Sequence, residues 1–442
     1  MRTIRASSGA VATAIALSVA LVCPVSAQDK GLGFTLEDAS PGADIPEVEV
    51  SLGMRPFAND LIFVAGIKLG YYDDVGITIT PPPYGRKVLI DQATPLLINR
   101  QIELQAHYPP DIIAAMDSVT NIRFIALTDL FQGFAVLAEP NSGAKTVNDF
   151  MDEGMSFDEA MKATMEQLRG EKFVTAPNID NRVFLDTAFS LGGLDMADDT
   201  DLIITEDPNA LQLASSGQVK FLSPTGAPFT AQLRGDGWLP LVTPIDILAH
   251  MPAGPGSPTA ALVGTPGVAA DAEWAQEHPE TVLRFVSVMF RIIRDELADP
   301  ELVLGAMLDY VNAFAGTSLD IEGLKVTIDS LSPLSDFEFQ QNYCDNTQSA
   351  LYYRTAFDAA AKFNIDKGVL PDAEYDADDV IWACDIYHDL VELKQASDKL
   401  MAQLADSMSL SGDKRALVDM ARAQYDNFNY LDSYRILRVA AE

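Results

Sequence analysis

The segment that most constrains the fold runs from Val48 to Pro83 and has the pattern of a strand, a helix and a second strand. Alternating apolar residues predict the first strand, from Val48 to Leu52. A helix over 60–69 follows, with Asn59 as its expected N-cap; it is apolar on all sides, so we expect it to be deeply buried. The second strand, 77–80, stops at three prolines. Such units build parallel sheets, so the segment predicts an α/β fold.

The same order of strand, loop, helix and strand occurs again in the second half of the chain. A strand ends near residues 174–178, a helix runs to about residue 191, and a further strand covers 202–205. Two such halves, joined by two crossing segments, predict two lobes with a cleft between them. Between the halves, Ser156 and Glu159 have the spacing of a capping box and predict the start of an additional surface helix.

The first 27 residues have the pattern of an export signal. Arg2 and Arg5 give a basic start, residues 9–22 are small or apolar, and residues 25–27 (VSA) match a cleavage site. The apolar run is shorter than the roughly 20 residues that span a bilayer, so we expect cleavage after Ala27 rather than a membrane anchor. The mature protein is therefore expected outside the cytoplasm.

The chain is strongly acidic, which limits its partners. It has 64 Asp and Glu against 30 Lys and Arg, a formal charge of −34; removing the two arginines of the signal makes it −36. A surface of this charge repels nucleic acid and anionic lipid. The charge of the whole chain does not identify a ligand, because a cleft can have the opposite local field.

Several short stretches resemble the periplasmic substrate-binding proteins of ABC transporters for nitrate, sulfonates, taurine and thiamine precursors. Residues 66–72 (GIKLGYY) and 75–79 (VGITI) are similar to the "A-x-x-x-G-Y-F, G-L-x-V" opening of that family. Residues 142–150 (SGAKTVNDF) and 168–177 (LRGEKFVTAP) are similar to its later "S-G-I-K-S-x-x-D-L-K-G-K" text, interrupted here by the additional helix. The resemblance covers, with gaps, about residues 48–244.

The resemblance implies the two-lobed periplasmic binding protein (type II) fold with a hinge, to which this chain adds a C-terminal helical extension. It also implies a monomer in the periplasm that works with an ABC permease and has no cofactor and no catalytic residue. The expected domains are a signal peptide (1–27), a flexible leader (28–46), lobe I (47–130 and 243–330), lobe II (131–242) and the helical extension (331–442).

Ligands of open parallel sheets bind at the carboxyl ends of the strands, where helix N-termini point. Four predicted loops lie there, 55–60 and 107–111 in lobe I and 177–182 and 225–229 in lobe II. We expect Arg55 or Arg182 to pair with a carboxylate or sulfonate; the alternative for each is a solvated position or a bridge to an acid. The candidate ligand-binding residues are Arg55, Phe57, Asn59, His107, Tyr108, Asn178, Asp180, Arg182, Thr225, Gly226 and Phe229.

The sequence gives no support for a metal site or for a known catalytic motif. No histidine has a second histidine or a cysteine at metal-ligand spacing. No nucleophile elbow, zinc-protease, phosphate-loop or dinucleotide-binding motif is present in a convincing context.

Three functions remain open. The first is an exported solute-binding protein that captures a small organic ligand, anionic or aromatic and heterocyclic, for a permease. The second is an exported ligand sensor. The third is an enzyme on the same fold, such as a thiamine-pyrimidine synthase, but that branch uses a cysteine-rich iron-binding motif, and the mature chain has only Cys344 and Cys384. Nitrate, a sulfonate, a pyrimidine and an aromatic or other carboxylate all remain possible ligands.

The two cysteines of the mature chain are predicted to form a disulfide. Export places Cys344 and Cys384 in an oxidising compartment, where an even count indicates pairing. The bond would close a loop of about 40 residues in the helical extension. The alternative is two buried free thiols.

Overall fold

The computed structural model describes residues 31–251, 259, 262–406 and 412–442, without the side chains of Asp180 and Asp406. The predicted export signal and its cleavage site lie outside these residues. Within the described part of the chain, no helix is both long enough and apolar enough to cross a membrane.

The strands form two separate sheets, one in each lobe. The sheet of lobe I has the order β2-β1-β4-β11-β5, with β3 paired to β1, and the sheet of lobe II has the order β10-β6-β9-β7-β8. The strands are β1 Val48–Met54, β2 Ile77–Thr80, β3 Arg86–Lys87, β4 Leu104–His107, β5 Ile122–Leu127, β6 Val136–Ala138, β7 Lys172–Thr175, β8 Asp201–Ile204, β9 Phe221–Ser223, β10 Leu239–Val242 and β11 Gly267–Asp271.

Helices cover the faces of both sheets and form most of the C-terminal region. They are α1 Ile62–Lys68, α2 Ala93–Ile98, α3 Pro109–Ala115, α4 Val147–Asp152, α5 Phe157–Glu166, α6 Ile179–Gly192, α7 Met196–Asp199, α8 Asp207–Ser215, α9 Ala227–Gly235, α10 Pro244–His250, α11 Ala272–Glu277, α12 Pro279–Ala298, α13 Pro300–Ala315, α14 Ile321–Val326, α15 Gln340–Cys344, α16 Tyr353–Asp366, α17 Ala383–Asp406, α18 Gly412–Asp426 and α19 Tyr430–Ala441.

The predicted strand–helix–strand unit is present at the start of lobe I. Strands β1 and β2 are parallel, with Val48 opposite Ile77, and α1 connects them. The residues of α1 from Ile62 to Gly66 are buried, as its apolar composition predicted. Asn59 does not cap this helix: the N-cap is Leu61, without a side-chain hydrogen bond. The capping box of Ser156 and Glu159 is confirmed at the start of α5.

Three paired segments lie at the junction of the lobes, where we expected two crossing segments. Residues 128–132 pair with Gly264 on one side and with residues 331–335 on the other. The N–H of Phe131 donates to the carbonyl of Gly264, and the N–H of Gln132 donates to that of Leu331. The expected extension from residue 331 therefore begins inside the hinge, and we refer to these three segments as the hinge strands.

Lobe II also continues further than expected. We placed residues 243–250 in lobe I, but they form α10, which packs on lobe II. The ring of His250 stacks on Phe157 of α5, with 4.5 Å between centroids, and Asp246 accepts a hydrogen bond from Asn148 of α4. The chain returns to lobe I only after Gly264.

The C-terminal helices pack on the outside of lobe I. Helix α16 lies on α3, α17 lies on β5, and α19 packs against α17, α18 and α12. The backbone N–H of Trp382 donates to Phe124 of β5, so the segment before α17 covers this edge of the sheet. Cys344 and Cys384 form the predicted disulfide, which joins the end of α15 to the start of α17.

The expected flexible leader is packed where the structure describes it. Over residues 31–46, the side chains of Leu32, Phe34 and Ala39 are buried in the core of lobe I. The guanidinium groups of α19 donate hydrogen bonds to the carbonyls of Ala39 and Ser40. Its few apolar residues thus hold the segment to the protein, although its composition is typical of a loop.

Candidate functional site

The two lobes meet at the carboxyl ends of their strands. The loop after β1 carries Arg55, Phe57 and Asn59, and Tyr108 follows β4; opposite them, Gly226 follows β9 in lobe II. The contact is close, since a Cβ atom on Gly226 would lie 2.6 Å from Cδ1 of Phe57. The rings of Phe57 and Tyr108 belong to the same buried cluster as aromatic residues of lobe II. The predicted loops of lobe I and the loop before α9 therefore lie together at the contact between the lobes, where they form a candidate site.

Arg55 is the central charge of this site. It is completely buried, and its Nε donates to Oδ2 of Asp60 at 2.8 Å. Its Cζ lies 4.4 Å from the ring centroid of Tyr108 and 5.1 Å from that of Phe57, so the guanidinium is held against two aromatic rings. Among the described residues, Nη1 has no hydrogen-bond partner; the carboxylate of Asp111 is 3.8 Å away. The N–H groups on Nη1 of this buried guanidinium therefore donate to no described acceptor.

Burial and the arginine together set the ionisation of the neighbouring groups. Burial alone would lower the pKa of Arg55, but Asp60, Tyr108 and Asp111 together outweigh this and raise it. Burial raises the pKa of Asp111 to about 6, against the attraction of Arg55. Burial lowers the pKa of His107 to about 3, and Arg55 adds to the effect. His107 is therefore neutral near pH 7, and its Nε2 lies 3.0 Å from Oγ1 of Thr94.

A second buried carboxyl, Asp129, connects the Arg55 loop to the hinge strands. Asn59 and Thr128 donate to its Oδ1, at 3.1 and 2.7 Å, and Ser332 donates to its Oδ2 at 2.5 Å. Burial raises the pKa of Asp129 to about 7, although these three hydrogen bonds oppose the shift and Asp60 adds to it. Asp129 thus joins the loop after β1 to two of the three hinge strands.

The lobe II side is organised by another buried acid, Asp207 at the start of α8. Its carboxylate accepts hydrogen bonds from the N–H of Thr225, the hydroxyl of Thr225 at 2.6 Å and the N–H of Gly226 at 2.9 Å. Burial raises its pKa to about 6, and the hydrogen bonds from Thr225 and Gly226 oppose this. The backbone N–H groups of Thr225 and Gly226, two of the candidate ligand-binding residues, therefore donate within the protein.

The other candidate residues differ in where the structure places them. Phe229 is fully buried in α9 behind Gly226. Asn178 caps α6, since its side chain accepts from the N–H of Asn181. The side chain of Arg182 is 44% exposed and bonded to Asp186 on its own helix at 2.7 Å, so it does not join the buried cluster around Arg55. Asp180 belongs to α6, but its side chain lies outside the described atoms.

Sequence reasoning missed several residues that hold the site together. Asp60 and Asp111 lie at the ends of the predicted loops, and the rule that a buried arginine needs an acidic partner could have identified them. Asp129 and Ser332 could not be found in this way, because they are 203 residues apart and meet only in the folded hinge. The further missed residues are Thr94, Thr128 and Asp207.

Solved structures with a similar fold include two periplasmic binding proteins. The aliphatic sulphonate binding protein SsuA from Escherichia coli is 14% identical, with a TM-score of 0.51 over 78% of this chain and 99% of that chain. The nitrate-binding protein NrtA from Synechocystis PCC 6803 is 13% identical, with a TM-score of 0.53 over 79% and 89%. The desulfurization enzyme DszB also matches, but its TM-score is only 0.48, over 77% and 95% at 12% identity.

No protein-family model matches the chain, and no curated protein matches it in sequence. The structural likeness shows that the chain has the two-lobed fold of periplasmic binding proteins. About a fifth of the chain lies outside the part shared with SsuA.

Proposed function

We propose that this protein is an exported solute-binding protein that captures a small organic ligand between its lobes and delivers it to an ABC permease. Nη1 of Arg55, which has no hydrogen-bond partner among the described residues, carries the proposal, because a buried guanidinium without a full set of acceptors is costly unless a ligand completes it. The position of this group, at the strand ends where two lobes meet, is where sheets of this type bind ligands. The protein acts as a monomer in the periplasm after cleavage at Ala27.

The surroundings of Arg55 indicate the chemistry of the ligand. One oxygen acceptor, from a carboxylate, sulfonate or ring carbonyl, would bind Nη1, and a flat apolar part would pack against Phe57 and Tyr108. Because Asp60 and Asp111 already offset the charge of the arginine, a neutral acceptor or a ligand with a single negative charge fits better than a multiply charged anion. Asn59, His107, Thr225, Gly226 and Phe229 shape the remaining walls in this proposal.

A thermal-shift screen of the mature protein tests the proposal. The panel contains nitrate, ethanesulfonate, taurine, benzoate and a free pyrimidine. A ligand that binds the native state alone raises the melting temperature with concentration. Failure of every compound to stabilise the protein would count against small anions and aromatic carboxylates as ligands.

The role of Arg55 is tested with the ligand that the screen identifies. We expect Arg55→Gln and Arg55→Lys to weaken binding by about tenfold or more, since a hydrogen bond to a charged group contributes roughly 1.5–3 kcal/mol. Arg169→Gln is the matched control, because Arg169 is a surface arginine of lobe II, paired with Glu166. If the wild type and both Arg55 variants bind the ligand with equal affinity, Arg55 does not contact the ligand. If the wild type converts the bound ligand to a product, the protein is an enzyme rather than a binding protein.

A further inference from the structure

A cavity lies near the amino end of strand β5, at the end of the lobe I sheet that is opposite the lobe contact. It has a volume of about 260 Å³. Met116 and Val119, which follow α3, form one wall, and Tyr375 and Val380 of the C-terminal region form the other. Arg123, near the amino end of β5, also lines it. Strand β5 separates this cavity from the hinge, because residues 128–132 begin where that strand ends.

The guanidinium of Arg123 is only partly satisfied in this cavity. The residue is 7% exposed, and its Nη1 donates to the carbonyls of Thr120 and Ile122 at 2.7 and 2.9 Å. Its Cζ lies 5.1 Å from the ring centroid of Trp382. Nε is buried without a hydrogen-bond partner, and Nη2 makes no hydrogen bond to a described residue. The edge formed by Nε and Nη2 is therefore unused.

The charge of Arg123 is not balanced by a direct ion pair with any described residue. Burial lowers its pKa, and Asp379 and Asp271 oppose this only through longer-range attraction. Asp376, which also lines the cavity, is bonded to Arg354. Placing a cation in such an environment without an anion is unfavourable, so an anionic ligand would complete the site.

We propose that this cavity is a second binding site, for a small monocarboxylate with a compact apolar body. The two parallel N–H groups on the Nε–Nη2 edge match the two oxygens of a carboxylate. Met116, Val119 and Val380 offer an apolar surface to the rest of the molecule. The nearby Asp379 repels a second negative charge, so inorganic phosphate fits less well than a monocarboxylate.

Methionine methyl NMR of the mature protein tests the site directly. The ¹³C methyl signal of Met116, assigned by its loss in Met116→Leu, reports on the cavity wall. We expect benzoate to shift this signal in a saturable manner, and benzyl alcohol and inorganic phosphate to have little effect. In Arg123→Gln, the affinity for benzoate should fall by about tenfold or more.

Two further variants make the result decisive. Val119→Phe fills the cavity while Arg123 stays in place, so this variant should also abolish the response of Met116 to benzoate. It provides the test if Arg123→Gln fails to fold. Arg55→Gln should leave the response of Met116 unchanged, because Arg55 belongs to the cleft; the outcome is thus independent of the solute-binding proposal. An unchanged Met116 signal with both benzoate and acetate, or an equal response in Arg123→Gln, would overturn the second site.

Discussion

The buried carboxyl of Asp129 connects the Arg55 loop to the hinge strands. It receives three hydrogen bonds, from Asn59, Thr128 and Ser332. Its environment also raises its pKa to about 7, mainly through burial. The folded state therefore retains a proton here that the unfolded chain releases near pH 4.

We predict that Asp129→Asn makes stability less dependent on pH. Since the pKa of Asp129 is raised on folding, its favourable contribution is complete below about pH 4 and is lost as the pH rises to about 7, by up to roughly 1.4 kcal/mol per pH unit. Asparagine keeps the geometry, because its oxygen can accept from Asn59 and Thr128 and its amide can donate to Ser332. Urea unfolding from about pH 4 to pH 8 should show the variant gaining stability relative to wild type. A constant difference between the two proteins across this range would contradict the assignment.

Among single residues, local sequence patterns predicted the position of part of the candidate site. Arg55, His107 and Tyr108 follow strands of a recognisable unit, so their position at the sheet edge could be derived from local patterns. Arg182 was also expected there, but a helix allows an arginine to pair with an acid four residues later, and Asp186 is that acid. Contacts such as Asp129 with Ser332 depend on the tertiary fold and leave no local pattern.

Among the elements, the parallel strands and α1 were predicted well because their apolar patterns are local and strong. The third hinge strand was not: residues 331–335 are short, contain a proline, and pair with residues 128–132 only in the folded state. The disulfide could be predicted from cysteine count and compartment alone, and it fixes the first helices of the C-terminal region.

The disulfide is expected to contribute strongly to the stability of this helical region. Cys344 and Cys384 are 40 residues apart, and the chain-entropy model gives about 4 kcal/mol for a loop of that length. Replacing both with alanine should lower the free energy of unfolding by a comparable amount. Thiol labelling of the unfolded, unreduced protein, expressed without residues 1–27, should find no reactive thiol; two per chain would show that the bond does not form.

In the whole molecule, the two lobes touch through Phe57 and Gly226, and the three hinge strands lie behind this contact. Two lobes on a common hinge are the arrangement that closes around a ligand in binding proteins. We expect saturation with the ligand found by thermal shift to decrease the radius of gyration in small-angle scattering. An unchanged radius at saturation would argue against hinge closure.

A wedge at the lobe contact tests closure without altering Arg55. In Gly226→Ala, the new methyl group would lie 2.6 Å from Cδ1 of Phe57 and 2.8 Å from Cδ2 of Phe229 in its own lobe. The Phe229 ring must therefore shift, and the lobes cannot approach as closely as in wild type. The backbone itself tolerates alanine, because the φ angle of Gly226 is −95°. We expect Gly226→Ala to weaken ligand binding and to reduce the decrease in the radius of gyration. A second substitution in this variant, Phe57→Leu, should restore part of the closure because it removes the ring. If Gly226→Ala binds the ligand as tightly as wild type and shows the same decrease in radius, the lobes do not close through this contact, and the ligand must be held by a more open arrangement of the two lobes.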